Sequence, residues 1–206
     1  MVLLRKGADF EAIGKKYQIS PRLACLIRNR DVIGEEAVDR YLNGTISDLY
    51  DGMLMKDMDK AIDILKEKIL EDKKIRVIGD YDIDGVNATY ILLEGLERLG
   101  ADVDSDIPDR ISDGYGLNRH LVERAYEAGV DTLITCDNGI AAADEIAYGK
   151  EMGMTVIVTD HHEVPFDEQD GEKRYRIPPA DAVMDLSSRI VSIHLKDSAV
   201  LRLHTS

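Results

Sequence analysis

From Lys74 onward the chain alternates short apolar runs with longer stretches in which apolar residues recur every three or four positions. The runs have the length and β-branched content of buried strands, and the longer stretches have the period of helices that pack by one face. The pattern predicts a strand over 75–79, a helix over about 86–99, a strand over about 102–107, a helix over about 119–128, a strand over 132–136, a helix over about 141–151 and a strand over 155–159. This alternation predicts an α/β fold, a parallel sheet with helices on both faces. Residues 166–176 are charged, contain Gly171 and show no period, so they read as a loop. Pro178-Pro179 then precedes Ala182-Val183-Met184, a short segment able to form one more strand.

The chain before Lys74 has a different character. Phe10, Ile13, Tyr17 and Ile19 lead into Ser20-Pro21, an N-cap followed by proline at the first helical position, and Leu23, Leu26 and Ile27 continue at helical spacing. Gly34 and Asn43-Gly44 divide this region into short helices, and Met58, Ile62, Leu65 and Ile69 give an amphipathic helix that runs into the first strand. The expected organisation is a small helical module over 1–70, an α/β domain over 71–185 and a separate tail over 186–206.

Three of the turns carry chemistry. The run at 75–79 ends in Asp80-Tyr81-Asp82-Ile83-Asp84-Gly85, the run at 132–136 in Asp137-Asn138-Gly139, and the run at 155–159 in Asp160-His161-His162. Strands of an open parallel sheet gather their carboxyl ends at one edge, and ligands bind in the crevice outside those ends. Alternate carboxylates before a glycine suit a hard cation such as Mg²⁺ or Mn²⁺, or else cap a helix. A calcium loop of the EF-hand kind needs Glu at its twelfth position, where this chain has Ile91. Imidazole beside carboxylate shifts the preference towards transition metals, Mn²⁺ over Ca²⁺. Asp137-Asn138-Gly139 by itself is a turn and gains weight from its place at a third strand end. Ser112-Asp113-Gly114-Tyr115-Gly116-Leu117 is either a plain turn or a loop whose amides meet a phosphate at a helix N-terminus. His120 reads as a solvated or partly buried helix residue.

Composition narrows the classes. At 206 residues and 44% hydrophobic content, the chain can bury one sizeable core. No apolar stretch approaches the roughly 18–20 residues of a membrane span, and Met1-Val2-Leu3-Leu4-Arg5-Lys6 is too short for a signal peptide, so no membrane association and a cytoplasmic location are expected. Cys25 and Cys136 are far apart and suggest neither a disulfide nor a thiolate metal site. A formal charge of −14 counts against a generic basic nucleic-acid surface. It leaves a phosphodiester substrate open, because acids that bind divalent cations lose much of their negative charge on loading.

The turns, in this order and spacing, resemble those of the DHH phosphoesterase superfamily, named after the Asp160-His161-His162 type of motif, and within it the branch of single-strand-specific DNA exonucleases. The resemblance runs from Asp80-Tyr81-Asp82-Ile83-Asp84-Gly85 through Asp113-Gly114-Tyr115-Gly116-Leu117 and Asp137-Asn138-Gly139-Ile140 to Thr159-Asp160-His161-His162-Glu163 and Pro178-Pro179-Ala180-Asp181-Ala182-Val183; the helical N-terminus is similar too, so residues 1–185 are covered. It implies that Asp82, Asp84, Asp137 and His161 ligate two divalent cations, Mn²⁺ or Mg²⁺, with His162 beside the metals and the scissile phosphate and Asp80 and Asp160 in support. Gly114, Tyr115 and Gly116 are the candidate substrate-binding residues. The implied reaction is metal-assisted phosphodiester hydrolysis, acting on single-stranded DNA with 5′-to-3′ polarity in repair and recombination. Single-stranded DNA is then the partner of the full-length family enzyme, and the oligomeric state stays open. Alternatives are a phosphodiesterase of the same superfamily for oligoribonucleotides, cyclic dinucleotides or pyrophosphate, and a metal-binding remnant without turnover.

The resemblance also implies a further strand with another acidic ligand and a second domain that grips the substrate, and the chain is expected to end before both. Back-translated with the frame moved by one base, three segments of 186–206 read as a continuation of the exonuclease branch, so this tail is expected to be a frameshifted, non-native one. On that basis the truncated chain is expected to bind Mn²⁺ weakly and to show little or no nuclease activity.

Overall fold

A computed structural model describes residues 7–109, 116–169 and 172–185, so the tail over 186–206 lies outside the described residues, as do Gly114 and Tyr115. The chain divides into two compact units between Asp51 and Gly52. The first holds α1 (Phe10–Tyr17), α2 (Pro21–Asn29) and α3 (Glu35–Asn43). Asp9 caps α1 by accepting the Ala12 N–H at 2.9 Å, and Ser20 caps α2 by accepting the Leu23 N–H at 3.2 Å with Pro21 at the first helical position. Ala24, Ile27 and Val38 form its small core, and Tyr17 Oη donates to the Glu35 carbonyl at 3.0 Å.

The second unit runs through α4 (Met58–Leu70), β1 (Ile75–Ile78), α5 (Ile83–Arg98), β2 (Val103–Asp106), α6 (Arg119–Glu127), β3 (Thr132–Cys136), α7 (Ala143–Glu151), β4 (Thr155–Asp160), the pair β5 (Phe166–Gln169) and β6 (Glu172–Tyr175), and β7 (Ala182–Asp185). Five strands form one parallel sheet in the order β2-β1-β3-β4-β7. Alternation along the strands sends side chains to two separate cores. Leu133, Val156, Val158 and Val183 meet Leu121, Val122 and Ala125 of α6 and Ile146 of α7, whereas Ile75, Val77, Ile134, Ile157 and Met184 meet Ala61 of α4 and Leu96 of α5. Helices thus cover both faces, as the alternation predicts. Among the described residues, no helix is long and apolar enough to cross a membrane.

The structure differs from the sequence reading in three places. Helix α4, assigned above to the N-terminal module, belongs to the second unit, because Ala61, Leu65 and Ile69 bury against the sheet. The segment read as a loop over 166–176 is the antiparallel hairpin β5–β6, with Phe166 and Tyr175 rings 5.8 Å apart and Lys173 Nζ 3.9 Å from the Phe166 ring centre. And the segment read only as able to form one more strand over 182–184 is β7, the fifth strand of the parallel sheet, which pairs with β4 over Ile157–Ala182 to Asp160–Asp185 and extends to a buried acid.

Both sheet edges are guarded. Edge strand β2 carries Asp104 and Asp106, which bind Arg76 of β1 bidentately (2.6 and 2.7 Å) and Arg124 of α6 (2.6 and 3.0 Å), a charged edge that discourages further pairing. On the other edge, Asp57 Oδ2 accepts the Val183 N–H at 3.1 Å. Asp181 enters β7 by clamping β4 from both sides: its N–H donates to the Val156 carbonyl and its Oδ2 accepts the Val156 N–H, each at 2.8 Å, while Lys150 of α7 donates to both its oxygens.

Two outcomes are expected. Asp181→Ala strands the Val156 N–H and loses the Lys150 contact, lowering unfolding stability by about 1–3 kcal/mol in a denaturant titration; a midpoint equal to wild type would contradict the clamp. Burial raises the Asp104 pKa, but hydrogen bonds from Arg76 and Lys74 outweigh it and the net shift is downward. Its contribution is therefore complete above the ordinary carboxylate range and is lost as pH falls through the depressed folded value. Asp104→Asn should flatten the acid limb of the stability-versus-pH curve and leave its neutral-to-alkaline shape intact.

Candidate metal centre

Strand order puts β2 on one side of β1 and β3 on the other, and the helix after β1 covers one face while the helix after β3 covers the opposite one. The chain therefore opens a crevice between the carboxyl ends of β1 and β3, the place where open α/β sheets bind ligands. Asp80 and Asp82 leave β1 into it, Asp137 leaves β3, and His161 and His162 arrive from the neighbouring end of β4.

Local structure fixes each arm. Asp82 is the N-cap of α5 and its Oδ1 accepts the N–H groups of Asp84 and Gly85 at 3.0 Å each. A Cβ on Gly85 would lie 2.6 Å from the backbone N and O of Asp80, so only glycine lets the helix start this close to the turn. Asp137 takes left-handed backbone with φ 59°, which turns the chain out of β3 and points its carboxyl across to His161, Oδ1 to Nε2 at 2.7 Å. Asp160 accepts from the His161 N–H (2.7 Å), the His162 N–H (3.1 Å) and His162 Nδ1 (2.7 Å) through Oδ1, and from the Ile140 N–H (2.9 Å) through Oδ2. The imidazole rings lie 4.6 Å apart, and one ligand atom from each of Asp137, His161 and His162 falls within 4.8 Å of the others.

Electrostatics reveal what this cluster lacks. Gly85 and Asp84 N–H groups hold Asp82 below the usual carboxylate range, the former most strongly. Asp137 moves the other way, raised by burial and by the nearby Asp82 charge against the opposing pull of His161. Burial lowers the His162 pKa, but Asp160, Asp137 and Asp80 together lift it above the ordinary imidazole value. Asp80 is fully buried, and neither of its oxygens meets a hydrogen-bond donor among the described residues. A buried charge without a partner is costly, and the oxygen and imidazole donors around it match a divalent transition cation.

The structure therefore gathers Asp80, Asp82, Asp137, His161 and His162, with Asp160 as the group that holds the last two. Asp84 sits exposed in the first turn of α5, where its N–H serves the Asp82 cap. Gly116 is buried with φ 73°, and a Cβ there would lie 3.8 Å from Asn138 Cβ, so the end of the candidate substrate loop borders the Asp137 turn. His120 is exposed on α6. Two residues escaped the sequence reading. Asp185 is 1% exposed at the end of β7, in register with Asp160, and its signal was a fifth apolar run ending in an acid. Asn138 is 4% exposed, and a turn motif gives no hint of such burial.

An acid held here without a cation should destabilise the fold. Asp80→Asn is expected to raise the thermal midpoint measured in chelator and to remove the further rise expected of wild type on adding Mn²⁺. A midpoint that falls in chelator would mean that Asp80 is already satisfied by the protein.

Comparison with known proteins identifies relatives of this α/β unit. Residues 74–201 match the family described as DHH family, N-terminal domain. The chain is 40% identical over 153 residues to the single-stranded-DNA-specific exonuclease RecJ of Bacillus subtilis (strain 168), covering 74% of this chain and 20% of that protein. A crystal structure of exonuclease RecJ bound to manganese superposes with a TM-score of 0.56 at 37% identity, covering 66% of this chain and 33% of the other. A crystal structure of RecJ from Thermus thermophilus in complex with Mn²⁺ gives 0.59 at 28% identity, covering 88% and 24%. The chain thus spans a third or less of the length of these relatives. Given the family match across the α/β unit, and three motif turns that converge at one sheet edge, the chain belongs to the DHH family.

Proposed function

We propose that this chain carries the metal centre of a RecJ-type exonuclease, which hydrolyses phosphodiesters of single-stranded DNA from the 5′ end with two divalent cations, Mn²⁺ or Mg²⁺, in cytoplasmic DNA repair and recombination. The observation that carries the reading is the buried Asp80 carboxylate, unpartnered among the described residues, beside the Asp137–His161–His162 cluster. The exonuclease relatives and the manganese-bound structures among them support the same assignment.

Asp80, Asp82, Asp137, His161 and His162 would hold the cations. Bound there, a pair of such ions supplies Lewis-acid activation of the phosphate and of the attacking water. The chain's own residues set the stage for that chemistry. Asp160 engages Nδ1 of His162, which leaves Nε2 as the nitrogen offered to the crevice and fixes the ring's orientation. The same carboxylate binds the Ile140 N–H, so the loop after β3 and the loop after β4 keep a constant separation. Asp82, capping α5, anchors the arm after β1. Burial and the Asp82 charge raise the Asp137 pKa, and a cation must displace any proton the carboxyl carries, so affinity should rise with pH over the acidic range.

The test combines binding with turnover. Mn²⁺ should titrate into the purified chain, with Asp137→Ala weakening it at least tenfold, and single-stranded DNA should compete for the loaded site better than cyclic dinucleotides do. Whatever Mn²⁺-dependent phosphodiester hydrolysis the chain supports should vanish in Asp137→Ala. Hydrolysis that survives this change, or preference for the dinucleotide, would reject the exonuclease assignment.

A further inference from the structure

We propose that Asn138 is a positioning residue that sets the distance between the two arms of the metal centre, Asp80 and Asp82 after β1 and Asp137 after β3. This deepens the assignment of the crevice to divalent cations and rests on it.

Parallel strands β1 and β3 are held in register by their ladder up to the pair Ile78 and Thr135. Beyond it the two chains part, β1 into the α5 turn and β3 through the left-handed Asp137. At that fork Ile78 ends β1 and Cys136 ends β3, and their carbonyls are the last that the two strands present before the crevice. Asn138 Nδ2 donates to both, each at 3.2 Å. One side-chain amide therefore continues the sheet for one more step at the strand boundary where the topology switches.

The orientation of the amide is fixed by chemistry. Turning it over would press Oδ1 against two carbonyl oxygens, so the NH₂ must face the strands. Oδ1 is buried and meets no donor among the described residues, so these two bonds are the ones that hold the side chain. Both ends of the clamp lie next to ligand-bearing residues. Ile78 is two positions before Asp80, and Cys136 immediately precedes Asp137. Removing the clamp frees the β1 arm from the β3 arm where a cation must touch both, and cation sites respond steeply to such supporting contacts.

Mn²⁺ affinity is measured on the full chain by electron paramagnetic resonance of the free ion, with the metal-free thermal midpoint of each protein recorded alongside. Wild type, Asn138→Ala, Asn138→Asp and, as a destabilised control at the opposite end of the sheet, Asp181→Ala are compared. Loss of supporting contacts predicts that Asn138→Ala weakens Mn²⁺ by about 10- to 100-fold. Asn138→Asp should weaken it as well, although it adds a negative charge near the cation, because a carboxylate repels the two carbonyls that the amide binds. Asp181→Ala should lower the midpoint and keep wild-type affinity. If Asn138→Ala fails to fold, the nearly isosteric Asn138→Asp decides alone. Wild-type affinity in Asn138→Ala, or tighter binding in Asn138→Asp, overturns the positioning role. A wild-type chain that binds no Mn²⁺ overturns the cation assignment itself and is seen before any variant is made.

Discussion

A carboxylate buried at a strand end must find donors or give up its charge, and Asp160 finds four hydrogen bonds within reach of two loops. Three come from the residues that follow it, His161 and His162, and one comes from Ile140 in the loop after β3. These bonds convert a flexible strand exit into a fixed support. Asp160 orients the His162 ring, holds the His161 backbone and ties their loop to its neighbour, while Asp137 takes the His161 ring, so the spacing of the cluster follows from these two acids. Asp160 stabilises through its bonds, and the acids around it are left for other work.

The parallel sheet explains why these residues meet. Asp80, Asp137 and Asp160 are separated along the chain by whole helices and turns, yet each lies at the end of a strand that runs the same way. The repulsion this creates is not relieved by the protein's own cations. Arg76, Lys74 and Arg124 are engaged with Asp104 and Asp106, Lys68 with Asp131, and Lys150 with Asp181; among the described residues, no lysine or arginine ion pair reaches Asp80, Asp82, Asp137 or Asp160. Histidines and backbone N–H groups answer part of the charge. The fold thus keeps a stored electrostatic penalty at the crevice, the usual signature of a site shaped for a ligand rather than for stability.

Much of this is legible in the sequence because two periods carry it. Buried parallel strands show as continuous apolar runs, and helices with one core face show a 3.6-residue repeat, so the alternating architecture and the three acid-bearing turns emerge without coordinates. The hairpin over 166–175 did not, because Phe166-Asp167-Glu168-Gln169 and Glu172-Lys173-Arg174-Tyr175 carry mainly charged residues, and the ring contact that joins them is a tertiary fact. The boundary near residue 70 missed for a related reason: the amphipathic pattern of α4 states that one face is buried, not against what. Within the Asp80-Asp82-Asp84 turn, spacing offers three equivalent acids. The structure separates them into a buried acid, a helix cap and an exposed one, and that division depends on how closely Gly85 brings α5 to the turn.

Net charge then takes on a different meaning. An anionic phosphodiester and a chain of formal charge −14 repel at long range, and among the described residues no lysine or arginine ion pair reaches the crevice acids. Cations held by the same acids reverse the local sign, because a divalent ion is the largest charge in such a site and its field dominates at contact distance. On the proposed function, the acids at the crevice would bind the substrate indirectly, through the cations they hold. If the proposed function holds, mutating a crevice acid should affect substrate and metal together, whereas altering the distant Lys150–Asp181 pair acts on the fold alone, so the crevice acids would behave as one electrostatic unit rather than as separate ligands.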